Sequence, residues 1–305
     1  LTINFGLWTL SSYCGGLMSK LVAIVGPTAS GKSELGMQIA RQFRGEIICA
    51  DSRTIYKGMN IGTAKPSKAD QSEISHHLLD LIEPGQNYSA AEFKAAALQA
   101  ISEIDSRGHL PIIVGGSGLY AYAVLYDYQF PAGPPNQLRD QLQQLPGDQL
   151  VEKLKAVDPE AVEMIDLKNP RRVIRAIETA GLPKTHSQLM PAALLVGLRP
   201  NIETLRQRIT QRVDAMVEAG FIDEVKVVIK RHGWENEATT SIGYRAFRDY
   251  IEGSLSLNDA KDAFARGDLA LAKRQLTWFK RNPDINWFED VPTAERFIVS
   301  QLQKV

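Results

Sequence analysis

The eight residues Gly26-Pro27-Thr28-Ala29-Ser30-Gly31-Lys32-Ser33 constrain this chain more than any other stretch. They fit the phosphate-loop pattern G-x-x-x-x-G-K-[ST] and stand between a strand signal and a helix signal, the context that the pattern needs. Leu21 to Val25 is a short apolar run of the kind that forms a buried parallel strand. From Ser33 to Arg41, Leu35, Met37 and Ile39 supply the apolar positions of a helix. Gly26 and Gly31 let the backbone fold tightly, so that amide N–H groups point at phosphate oxygens, and the helix dipole adds positive potential at the same point. Lys32 brings a full charge, and the Ser33 hydroxyl can ligate Mg²⁺. Residues 26–33 are therefore a candidate diphosphate or nucleotide site. The motif alone does not separate a kinase, an NTPase and an enzyme whose leaving group is diphosphate.

Further strands follow. Glu46 to Ala50 ends at Asp51, Pro111 to Val114 ends in Gly115-Gly116-Ser117-Gly118 before a helix from Leu119, and Leu194 to Leu198 is a fourth. Ser89-Ala90-Ala91-Glu92 is a capping box, opening a helix that runs to about Arg107, where Gly108 stops it. Alternating strands and helices imply an α/β fold: a phosphate-loop NTPase-like open parallel sheet flanked by helices, with ligands at the carboxyl ends of the strands. The phosphate loop, Asp51 and Ser117 all fall at such ends, which argues for one shared site.

Between about Phe130 and Pro191 only helical patterning is visible, after a hinge-like stretch with Pro131, Pro134 and Pro135. Residues 130–191 are read as a small all-helical insertion in a parent domain of residues 18–129 and 192–305. From Asn201 onward the chain reads as helical again, with Leu205, Ile209, Met216 and Val217 on one face. Residues 1–17 carry no charge and precede Met18-Ser19-Lys20; they are read as a disordered upstream extension, with Met18 the natural start.

Lys+Arg and Asp+Glu number 35 each, so no global field draws in nucleic acid, and any such binding must use local basic patches. Cys14 and Cys49 are the two cysteines, which excludes a disulfide framework and a cysteine zinc site and suits a reducing cytoplasm. The five histidines show no ligand spacing; His76-His77 is expected to pack or hydrogen-bond locally. No segment reads as a membrane span. A monomer is the default, since no heptad pattern stands out.

Several polar residues have two readings. Asp51, at a strand end beside a phosphate site, can reach Mg²⁺ through water, bind a substrate hydroxyl or act as general base, or it can merely cap its loop. Arg212 stands at the edge of the apolar stripe between Ile209 and Met216, where an arginine most often snorkels or forms an ion pair. Asn169-Pro170 reads as an N-cap with proline at the first helical position. Arg171 and Arg175 then share a helix face, either solvated or binding an anion. Lys273-Arg274-Gln275 is either a surface turn or a phosphate-gripping patch.

The segments occur in a telling order: the phosphate loop, then the stretch from Asp51-Ser52-Arg53-Thr54 through Gly62-Thr63-Ala64-Lys65-Pro66. His76-His77-Leu78-Leu79-Asp80, Tyr88-Ser89-Ala90, Gly115-Gly116-Ser117-Gly118-Leu119-Tyr120, Ile242-Gly243-Tyr244-Arg245 and Lys273-Arg274-Gln275-Leu276-Thr277-Trp278-Phe279 follow. From about Leu21 to Phe288 the chain resembles the bacterial tRNA dimethylallyltransferase (tRNA isopentenyltransferase) family. The resemblance implies transfer of a dimethylallyl group from dimethylallyl diphosphate to N6 of adenosine 37, immediately 3′ of the anticodon, in a tRNA anticodon stem-loop. It makes Asp51 the general base, and Lys32, Arg212 and Mg²⁺ on Ser33 the groups that neutralise the departing diphosphate. A phosphate loop stabilises a leaving diphosphate as well as it holds ATP. Ser117, where the family usually has Thr, would donate near the bridging oxygen; Arg172 would also contact diphosphate. The implied tRNA contacts are Asp51, Ser52, Arg53, Thr54 (usually Gln), Ser117, Arg139, Arg171, Arg172, Arg175, Lys273, Arg274 and Gln275. Rival readings are a phosphate-loop small-molecule kinase, a prenyltransferase acting on free adenine nucleotides, and an RNA-binding module without catalysis.

Overall fold

Leu-Val-Ala-Ile-Val forms β1 (Leu21–Val25), and all five residues are buried. A strand can be apolar on both faces only where helices cover both, as in a parallel sheet. The computed structural model describes residues 20–130, 136–181 and 188–304. The expectations for residues 1–17 and for Pro131, Pro134 and Pro135 lie outside the described residues.

The other strands are β2 (Gly45–Cys49), β3 (His76–His77), β4 (Leu110–Gly115), β5 (Ala193–Leu198) and β6 (Asn286–Phe288). They pair in the order β3-β2-β4-β1-β5-β6, every neighbour parallel. Helices α1 (Lys32–Phe43), α2 (Lys68–Glu73), α3 (Ala90–Ser106) and α4 (Gly118–Leu125) alternate with the first strands. Before β5 come α5 (Asn136–Gln143), α6 (Gly147–Val157), α7 (Pro159–Met164) and α8 (Pro170–Glu178). Between β5 and β6 run α9 (Ile202–Glu218), α10 (Phe221–His232), α11 (Ile242–Ile251) and α12 (Leu257–Phe279), and α13 (Val291–Leu302) follows β6. Among the described residues no helix is long and apolar enough to cross a membrane.

Leu35 and Ile39 of α1 and Ala294 and Ile298 of α13 pack on Val22, Ile24, Ile47, Ile112 and Val114 of the sheet. Helices α3 and α4 also pack against strands β1, β2 and β4. The four strands read from the sequence are present, each within one residue of its expected start. The two others, β3 and β6, are only two and three residues long, too short to show a period. β6 also corrects the expectation that the chain is helical throughout after Asn201. The Ser89 capping box forms as read: Ser89 Oγ accepts from Glu92 N at 3.2 Å and Glu92 Oε2 from Ser89 N at 2.7 Å. Asn169 does precede Pro170 at the helix start, but its side chain makes no capping bond.

The chain divides into two compact units, one being Tyr128–Ser187 and the other the rest of the chain. Within Tyr128–Ser187, Leu142, Leu150, Leu154, Ala161, Val173 and Ile174 form a core of their own. Arg139 grips the buried Glu178 carboxylate with two bonds of 2.7 and 2.8 Å, and Arg175 approaches it at 3.4 Å. These two arginines thus serve their own unit, whereas Arg171 and Arg172 are exposed on α8.

In the sheet-bearing unit, Glu46 of β2 is buried and accepts from His77 at 2.7 Å, His109 at 2.7 Å and Arg107 at 3.0 and 2.9 Å. His76 bonds the Ile74 carbonyl at 2.8 Å, so both histidines of the pair bond locally, as expected. Burial by itself would raise the Glu46 carboxyl, but Arg107, His77 and His109 outweigh it and hold it down at about 2. A carboxylate below its unfolded value adds stability above that value and loses it as the pH falls toward the folded one. Stability should therefore fall between about pH 5 and pH 2, and Glu46→Gln should remove about 2 kcal/mol of that acid-dependent part. Urea melts of both proteins at stepped pH check this; parallel pH profiles would contradict it.

Candidate active site

Gly31 begins α1 in the left-handed region, at φ +97°, a conformation that a side chain would strain. The loop before it turns back on itself, and Lys32 Nζ donates to the Pro27 carbonyl at 2.5 Å. Residues 28–33 line a cavity of about 640 Å³, while Gly26 and Pro27 form the base of the loop. Ser30 Oγ and Arg212 Nε, both in residues of the cavity wall, are buried without a hydrogen-bond partner. Buried donors left unpaired are costly, and an anion's oxygens would satisfy them.

Across the cavity, β2 and β4 end together. Ala50 N donates to Val114 O at 2.8 Å, and Ser117 N to Ala50 O at 3.2 Å. Ser52 N then donates to Ser117 Oγ at 3.0 Å, and Arg53 N to Asp51 Oδ1 at 2.8 Å, which fixes the carboxylate at the cavity wall. Ser52 and Ser117, both expected to touch substrate, bond each other and are not among the lining residues. Arg53 lines the cavity but donates to the Glu237 carbonyl at 2.8 Å, and Thr54 is nearly buried. Thr54 lines the cavity as well, and its hydroxyl turns back to Asp51 O at 3.4 Å.

The third wall comes from α9 to α12. Arg212 of α9 lines the cavity and forms an ion pair with Asp268 of α12, a buried carboxylate. Arg208, one turn earlier on α9, donates to Ser30 O at 3.3 Å. Burial raises the Asp268 carboxyl, Arg212 opposes this, and Asp51 adds to it. Sequence reasoning missed Asp268, although Ala260, Phe264, Asp268 and Ala272 recur every four residues and are all buried. A carboxylate in register with a buried helix face is a usable signal.

Sequence reasoning also missed what holds the stretch after Asp51. Glu224 of α10 accepts from Asn60 N and Ile61 N at 2.7 Å, from Gly62 N at 2.9 Å and from the Tyr244 hydroxyl at 2.9 Å. Lys65, buried, donates to Asp80 at 2.6 Å, to Tyr56 O at 2.9 Å and to Asn60 at 3.0 Å. Thr63, Ala64 and Pro66 are thereby presented to the cavity.

Lys273, Arg274 and Gln275 belong to the body of α12, not to a surface turn. Arg274 is exposed and lines the cavity. Gln275 is spent on backbone: its Oε1 accepts from Thr28 N at 2.8 Å and its Nε2 donates to Gly116 O at 3.0 Å. Among the described residues no group of three or more His, Cys, Asp or Glu is placed to hold a metal ion. The exposed Ser33 hydroxyl at the cavity fits Mg²⁺ that shares its remaining ligands with phosphate oxygens and water.

Burial depresses the Lys32 ammonium to about 8; Asp51 pulls it up and Arg212 pushes it further down. An anion favours the protonated form, so inorganic diphosphate should bind with proton uptake by Lys32 near pH 8, and affinity should fall above that pH. Titration calorimetry in buffers of different ionisation heat measures the uptake. Lys32→Met should remove the lysine's share; identical uptake in both proteins would refute the assignment.

Comparison with known proteins identifies the family. The profile of the family described as IPP transferase matches residues 54–282. The tRNA dimethylallyltransferase of Anoxybacillus flavithermus is 42% identical over 280 residues, covering 88% of this chain and 90% of that protein. The crystal structure of the full-length tRNA isopentenylpyrophosphate transferase of Bacillus halodurans superposes with a TM-score of 0.70 at 36% identity, covering 94% of this chain and 97% of that one. A eukaryotic dimethylallyltransferase acting on tRNA superposes with a TM-score of 0.79 at 25% identity, covering 93% of this chain and 77% of that one.

Proposed function

This chain belongs to the IPP transferase family and is a prenyltransferase that moves a dimethylallyl group to tRNA; we propose that the donor is dimethylallyl diphosphate and the acceptor N6 of adenosine 37. The observation that carries the reading is a phosphate loop and a fixed carboxylate, Asp51, on the walls of one cavity. Met216, Ile242, Phe264 and Leu271 also line it, which suits a five-carbon apolar group.

The reaction forms a bond from N6 to the first carbon of the dimethylallyl group and breaks that carbon's bond to oxygen. The electron pair leaves with diphosphate, and the N6 proton passes to the Asp51 carboxylate. Lys32, Arg212 and the loop amides stabilise the charge that develops on the departing oxygen. Ser33 would hold Mg²⁺ through its hydroxyl, and the ion when bound neutralises part of the diphosphate charge. The adenosine must leave its stack to reach Asp51. Lys273 and Arg274, exposed on α12, and Arg171 and Arg172, exposed on α8, are the proposed grips on the anticodon stem-loop. Arg139 and Arg175 stabilise the insertion that presents them. The enzyme acts as a monomer in the cytoplasm, where its substrate is.

Transfer of label from radioactive dimethylallyl diphosphate to an unmodified anticodon stem-loop tests the proposal. Asp51→Ala should lower kcat by about 10² to 10⁴. Label entering AMP instead of RNA would move the reading to a nucleotide prenyltransferase, and phosphate transfer from ATP to a small acceptor would move it to a kinase.

A further inference from the structure

Gln275 joins two loops that come from different strands. Through Thr28 N it holds the phosphate loop after β1, and through Gly116 O it holds the turn between β4 and α4. That turn continues into Ser117, whose hydroxyl receives Ser52 N, the residue after Asp51. One side chain thus connects the loop that would hold the leaving group to the loop beside the proton acceptor.

We propose that Gln275 is a positioning residue for the transfer, setting the spacing between the phosphate loop and the Asp51 side of the cavity. The proposal rests on the transferase reading above. The chemistry of the side chain is specific. A primary amide accepts at one atom and donates at its neighbour, whereas Lys or Arg only donates and an ionised Glu only accepts. The two loops need one of each, since Thr28 offers an N–H and Gly116 a carbonyl. Bringing carbon and nitrogen within reach demands such control, because a displacement of about 1 Å costs roughly a hundredfold in rate.

Gly116 shows how closely the amide is seated. A Cβ added there would lie 2.4 Å from Gln275 Nε2, and its next contact beyond that side chain would be Gly26 O at an ordinary 3.4 Å. No side chain fits at position 116 while Gln275 holds its place, and most of the obstruction is Gln275 itself.

The test is a double-mutant cycle in steady-state transfer from dimethylallyl diphosphate to the stem-loop, with thermal melts of every protein. Gln275→Ala and Gly116→Ala should each lower kcat by about tenfold to a hundredfold, with the stem-loop KM within about twofold of wild type. The double variant should be no slower than the slower single one, since the clash disappears with the amide. If Gly116→Ala does not fold, Gln275→Glu replaces it: it keeps the acceptor for Thr28, loses the donor to Gly116 and should lose kcat as Gln275→Ala does. A raised stem-loop KM with unchanged kcat would make Gln275 a tRNA contact and overturn the proposal, as would fully additive losses or wild-type rates in the variants. Wild-type protein that transfers nothing would instead overturn the transferase reading beneath it.

Discussion

The near-contact between the ends of β2 and β4 is the constraint on which the site depends. A Cβ on Gly115 would stand 1.9 Å from the Ala50 carbonyl oxygen, so any other residue there would wedge the strands apart. The register does the rest: Val25 pairs with Gly115 and Cys49 with Val114, which brings the ends of β1, β4 and β2 level. The phosphate loop, Ser117 and Asp51 are then neighbours because of strand pairing alone. Parallel sheets place their ligands at this edge for the same reason.

Strand ends alone would not hold the long stretch after Asp51, and here the helices α9 to α12 decide. Phe221 sits among Tyr244, Phe247 and Phe264 at ring separations of 5.4, 5.2 and 5.6 Å, and Ile55, Tyr56 and Met59 pack into the same cluster. On this apolar base Glu224 and Lys65 fix the backbone. Charge-assisted hydrogen bonds from partly buried groups count for about 1.5–3 kcal/mol each. Half-exposed pairs such as Arg41–Glu73 and Lys57–Glu83 are screened by water and contribute little. The loop conformation therefore depends on Glu224 and Lys65, and the surface ion pairs are secondary.

The contrast explains what could be read from the sequence. The strand, phosphate loop and helix around Gly26–Ser33 are local patterns, and each part carries its own signal. Asp51 and Ser117 were legible because strand ends in a parallel sheet meet. The bonds that Thr54 and Gln275 make were not legible, because facing has no period in an irregular loop, and because a helix bearing Lys273 and Arg274 looks basic whichever way Gln275 points. Glu224 was illegible for a different reason: three of its partners are backbone amides, which have no sequence signature. Only Asp268 had an overlooked mark, its place at every fourth residue along the buried side of α12.

A neutral chain can still carry a cavity whose lining is rich in cations. Lys+Arg and Asp+Glu are equal over the whole sequence. Around the cavity they are not: Lys32, Arg53, Arg212, Arg245 and Arg274 face Glu34, Asp51 and Asp268, five cations against three anions. Low-dielectric walls focus such a local excess, so net charge governs long-range attraction while the cavity governs what is held. Asp268 tempers the excess by pairing with Arg212, and Asp51 tempers it by supporting the Lys32 ammonium. Burial, more than the charge balance, still holds Lys32 at about 8, well below an ordinary lysine. A charged ammonium is costly in so buried a wall, and an anion beside it would offset that cost.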